Sequence, residues 1–177
     1  LHCHTTADHG TFDACADPTK FPAGFMNICT GSYDIPTAYL AVDGIYTNKA
    51  PGGVAYRCSF RVTEAAYFIE RMIEVLAIKL GMDAAELRAK NFIKKDQFPY
   101  QSALGWEYDS GDYHTGWEKA LKAVGYDDLR KEQAERVEAF KRGETRTLLG
   151  IGLSHFTEIV GAGPVKNCDI LGLGMFD

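Results

Sequence analysis

Between Val62 and Leu80 the apolar residues Val62, Ala65, Ala66, Ile69, Ile73, Leu76 and Leu80 recur at spacings of three and four. That period lays them along one face of an α-helix, and such a face must be buried against a second layer. On the same pattern Glu70, Arg71 and Glu74 turn outward, Thr63 can cap the start of the helix, and Gly81 can end it. A helix of this kind cannot stand alone, so the rest of the chain has to supply what it packs on.

Residues 1–14 alternate loosely and carry many β-branched or aromatic side chains, and Tyr39 to Thr47 is a short apolar run, so both read as strands. Pro18, Pro22, Gly24 and Gly31 make the stretch between them a long loop, anchored by the apolar Phe21, Phe25, Met26 and Ile28. Asp83 and Glu86 form an Asp-x-x-Glu start for a second, short helix, with Leu87 and Phe92 as its apolar contacts. Residues 94–116 read as loop. Trp117, Ala120, Leu121 and Val124 mark a further helix stopped by Gly125, and Asp127 to Arg142 is a surface helix whose only apolar positions are Leu129, Val137 and Phe140. From Thr147 to Ile159 the pattern returns to strand, followed by a Gly161-Ala162-Gly163-Pro164 turn and a strand-like Ile170 to Phe176. The fold class expected is α+β. Leu1 opens inside an alternating stretch and Asp177 follows an apolar one, which leads us to expect that both ends are cuts in a longer chain.

Composition removes whole classes of function. The 19 Lys and Arg residues are interspersed among 24 acids for a formal charge of −5, so no basic field exists for a nucleic-acid backbone. Apolar stretches are broken by Asp43, Glu74 or Lys79 well before the roughly 20 residues of a membrane span. Five cysteines (Cys3, Cys15, Cys29, Cys58 and Cys168) without regular spacing argue against a disulfide framework and favour a reducing, cytoplasmic setting.

Chemistry concentrates at Val54-Ala55-Tyr56-Arg57-Cys58-Ser59-Phe60-Arg61, directly after the structure-breaking Ala50-Pro51-Gly52-Gly53. Cys58 has Arg57 beside it and Arg61 three residues on, and precedes a helix N-terminus whose unpaired N–H groups favour negative charge, a setting that favours a thiolate. Soft sulfur selects Cu(I) or zinc, but zinc would need further Cys or His close in sequence, and none lies within 20 residues. A small, packed, unreactive thiol fits the local pattern too, and local features do not choose between the two. Elsewhere, His2 and His4 share one side of a strand with His9 nearby, without an acid or cysteine placed to complete a metal site. Gly150-Ile151-Gly152 and Gly161-Ala162-Gly163 match no phosphate-binding motif and read as turns. Tyr33, Tyr39, Tyr46 and Tyr56 read as packing, and Glu64 suits helix-start electrostatics rather than a catalytic base.

The 54–61 segment resembles the copper-ligating loop of the aerobic carbon monoxide dehydrogenases, whose relatives in the xanthine dehydrogenase (molybdenum hydroxylase) superfamily have glycine where this chain has Cys58. The likeness extends through Phe12 to Pro18, Phe25 to Asp34, Gln97 to Tyr100, Leu104 to Gly111, Phe140 to Arg146 and Phe156 to Pro164. The resemblance implies a fragment of the molybdopterin-binding region of a large subunit, with residues 1–110 from a first molybdenum-cofactor-binding domain and 111–177 as linker helices and the start of a second. It implies that Cys58 holds Cu(I), bridged by sulfide to molybdenum on a molybdopterin cytosine dinucleotide. Arg57 and Phe60 would complete the catalytic pocket, and Tyr56, Arg57 and Ser59 would contact the cofactor. Carbon monoxide and water would be the substrates. Electrons would leave through [2Fe-2S] clusters on a small subunit and FAD on a medium subunit, in a dimer of heterotrimers located in the cytoplasm, free or at the inner face of the membrane. Two other readings remain: a molybdenum hydroxylase acting on an aldehyde or purine without copper, and a binding module whose Cys58 is a packed or redox-sensitive thiol.

Overall fold

The alternation of residues 1–8 becomes strand β1 (His2–Asp8), which pairs in parallel with β2 (Tyr39–Ile45), His2 opposite Tyr39 and Asp8 opposite Ile45. Parallel neighbours need a long crossover between them, and the chain between Asp8 and Tyr39 is long enough for one. The computed structural model describes residues 1–11, 28–50 and 62–157, and of Val62 the backbone alone. Within them the chain is α+β, as the sequence pattern indicates. β1 turns Cys3 and Ala7 inward onto Ile28, Cys29 and Ala65, with Phe68, Leu40, Val42 and Leu104 closing the cluster.

Helix α1 (Val62–Leu80) follows, then α2 (Ala84–Asn91), a 3-10 turn at Lys95–Gln97, a minimal hairpin of β3 (Tyr100–Gln101) and β4 (Glu107–Tyr108), α3 (Tyr113–Val124) and α4 (Tyr126–Lys141). Asp83 caps α2 by accepting from the N–H groups of Ala85 at 2.8 Å and Glu86 at 3.3 Å, and Leu87 and Phe92 are buried as expected. Gly125 takes a left-handed conformation (φ 65°), which ends α3 and starts α4 without an intervening loop. Thr63 lies inside the first turn of α1 and its hydroxyl bonds the Glu64 carboxylate, so it does not cap the helix as the sequence suggested. The hairpin inside 94–116 was not expected either. Its ladder is only two residue pairs long, too short to leave a periodicity, and it is held by Tyr108, whose hydroxyl donates to Gly31 O at 3.0 Å.

The main departure from the sequence reading is on α1. Its buried line is Ala65, Ile69, Ile73 and Ala77, whereas Leu76 and Leu80 are exposed, and Glu70, expected outside, is buried. The reason is Arg88 on α2, which has no solvent exposure. Its Nε donates to Glu70 Oε2 at 2.8 Å, Nη1 to Glu74 Oε2 at 3.2 Å and Ala84 O at 3.0 Å, and Nη2 to Glu70 O at 3.3 Å and Leu153 O at 3.0 Å. A guanidinium has five N–H donors and all of them find acceptors. Tyr33 donates to the other Glu70 oxygen and stacks on Phe92 at 5.5 Å. Burial works against the Arg88 charge, but the bond to Glu70 and its charge hold the guanidinium above its ordinary value.

Around this pair sits the core: Tyr33, Ile69, Ile73, Ala77, Ala85, Leu87, Phe92, Trp117 and Tyr126, with Ile151 and Leu153 packed against it. Gly31 crosses α1 so closely, at φ 58°, that an added Cβ would stand 3.0 Å from Ile69 Cγ2. Of the strand expected from Thr147 to Ile159, the described residues 147–157 are irregular. A strand needs a ladder partner, and here side chains hold the segment instead, with Arg88 on Leu153 O and Gln133 on Leu149 O at 2.9 Å. Because truncating one partner strands a buried charge, Arg88→Met should lower stability by roughly 3–5 kcal/mol and Glu74→Gln, at the half-exposed edge, by about 1 kcal/mol or less, as read from chemical-denaturation midpoints.

Candidate functional site

Asp8 closes β1 with a half-exposed carboxylate that gathers three donors: the Lys49 ammonium at 2.8 Å, the Gly10 N–H at 2.9 Å and the Thr47 hydroxyl at 2.8 Å. These bonds, with Lys49 leading, bring its pKa down to about 2. The backbone repeats the connection, Thr47 N–H to Gly10 O at 2.8 Å and Thr11 N–H to Lys49 O at 3.1 Å. The exit of β2 is therefore fastened to the exit of β1 as far as Lys49, five positions before Val54. Tyr56, Arg57, Cys58, Ser59 and Phe60 lie outside the described residues. After these positions comes α1, which Arg88 holds through Glu70 and Glu74.

A second polar chain runs through the core beside Arg88. Thr157 Oγ1 donates to Tyr113 OH at 2.9 Å, Ser32 Oγ lies 2.8 Å from Thr157 Oγ1, and His155 Nδ1 lies 2.9 Å from Ser32 Oγ. Counting protons orients it. With the Thr157 proton on Tyr113, the Ser32 proton goes to Thr157, and His155 must donate from Nδ1. Ser32 is fully buried and its partner histidine is a donor, so this contact is no nucleophile and base pair. The His155 ring packs 4.6 Å from Phe92, 5.1 Å from Tyr113 and 6.0 Å from Trp117, centroid to centroid. Burial lowers its pKa, with Glu70 opposing and Arg88 assisting.

The other candidates have quieter roles. His4 Nε2 bonds Asp43 Oδ2 at 2.6 Å, His2 meets Tyr39 edge to face at 4.8 Å, and among the described residues no three His, Cys, Asp or Glu side chains converge as a metal site. Tyr33 is core, while Tyr39 and Tyr46 pack at the surface, against His2 and His9. Glu64 sits in the first turn of α1, as expected. Gly150 to Gly152 belongs to the irregular stretch rather than to a turn, and Gly161 to Gly163 lies outside the described residues. Cys3 and Cys29 are buried free thiols, and burial together with the neighbouring Cys3 pushes the Cys29 thiol up, which disfavours a thiolate there. The sequence reading missed Arg88, Ser32, His155 and Thr157. The available signal was a pair of acids four apart on one helix, Glu70 and Glu74, followed by an arginine in the next helix.

The family model of the molybdopterin cofactor-binding domain matches residues 1–92. The chain is 71% identical over its whole length to the carbon monoxide dehydrogenase large chain of Afipia carboxidovorans and 66% identical, again over its whole length, to that of Hydrogenophaga pseudoflava. It spans 22% of the length of each of these curated relatives. Its fold superimposes with a TM-score of 0.90 on a solved Cu,Mo-CO dehydrogenase in the carbon monoxide reduced state, at 71% identity, covering 99% of this chain and 22% of that one.

The His155 contact carries a pH dependence with a definite sign. Because the folded pKa is lowered, the unfolded chain binds the extra proton, so stability is lost as pH falls below the ordinary imidazole value of 6.5. His155→Gln should flatten that part of the stability curve, measured by thermal unfolding between about pH 5 and pH 7.

Proposed function

We propose that this chain, which belongs to the molybdopterin cofactor-binding domain family, is part of the catalytic large subunit of an enzyme that oxidises carbon monoxide to carbon dioxide. The observation that carries the reading is a cysteine at position 58, inside Val54 to Arg61, a segment that resembles the copper-ligating loop of the aerobic carbon monoxide dehydrogenases. The identity of 71% along the whole chain to a carbon monoxide dehydrogenase large chain supports it.

The donor chemistry fits the metal. A single soft thiolate suits Cu(I) and leaves it open positions, and the described residues offer no competing cluster. When bound, a copper–molybdenum centre would supply the carbon monoxide affinity, the oxygen atom and the two-electron acceptor that turn carbon monoxide and water into carbon dioxide, two protons and two electrons. Cys58 would hold the copper, with Arg57 and Arg61 as sequence neighbours that favour a thiolate. Arg57 and Phe60 would line the pocket, and Tyr56, Arg57 and Ser59 would contact the cofactor, molybdenum on a molybdopterin cytosine dinucleotide. Asp8 and the Arg88–Glu70 pair hold the described residues before and after that segment.

Residues 1–110 belong on this reading to a first cofactor-binding domain and 111–177 to linker helices and the start of a second. The electrons pass to [2Fe-2S] clusters on a small subunit and FAD on a medium subunit, within a dimer of heterotrimers in the cytoplasm or at the inner face of its membrane.

Elemental analysis of the complete large subunit should find copper and molybdenum in near-equal amounts. Cys58→Ser should remove the copper and abolish carbon monoxide turnover while molybdenum stays. Full molybdenum without copper in the unmodified enzyme would transfer the protein to the hydroxylases of aldehydes or purines, and unchanged turnover in Cys58→Ser would end the copper reading. The 177 residues in isolation should neither hold the cofactor tightly nor oxidise carbon monoxide.

A further inference from the structure

We draw no further inference here: the strongest candidate, the apolar cleft between α3, α4 and residues 149–154 that Trp117, Leu121, Val124, Leu129 and Ile151 line, is an open apolar face, and nothing in the structure shows what covers it.

Discussion

Arg88 carries a full positive charge with no exposure to solvent, and the several-kcal/mol cost of burying it means that every segment supplying an acceptor must stay in place. Those segments are α1 through Glu70 and Glu74, the first turn of α2 through Ala84, and the irregular 151–157 stretch through Leu153. Tyr33 adds the loop before β2 by donating to Glu70. One side chain therefore sets the relative positions of parts of the chain separated by 65 residues or more. The apolar core around it is built largely from rings and small aliphatic groups, which could pack in several ways. The ion pair selects one of them, because a shift of either helix would leave a buried donor without an acceptor.

That selection bears directly on the candidate chemistry. A site can be only as precise as the elements that flank it. The described residues before and after positions 51–61 are held by different means. On the upstream side, Thr47 and Lys49 are held by a half-exposed carboxylate, Asp8, which also accepts from the Gly10 N–H. The downstream side is a long helix held by a buried guanidinium. Salt screens the first and leaves the second nearly untouched.

The same pair explains which parts of the fold were legible in the residues and which were not. Helix periods, the Asp83 cap and the helix-ending Gly81 and Gly125 all depend on neighbours three or four positions apart, and each is where the pattern put it. The orientation of α1 was misjudged by part of a turn because its acids were taken to face water. Nothing local distinguishes a solvated glutamate from one that meets an arginine 18 residues later. The strand expected from Thr147 to Ile159 is absent over its described part, 147–157, for a related reason, since alternation shows which side chains are apolar and is silent on whether a second strand is present to pair with.

The functional segment divides along the same line. Residue order alone places a cysteine between two arginines ahead of a helix, which establishes a favourable site for a thiolate, and the resemblance of that segment names the metal. The restraints at Asp8 and Arg88 and the proton order through His155, Ser32 and Thr157 could come only from the tertiary structure. Propensity, capping and thiolate chemistry act over a few residues and are written in adjacent letters. Pairing of buried charges and the covering of apolar faces act between segments that only folding brings together.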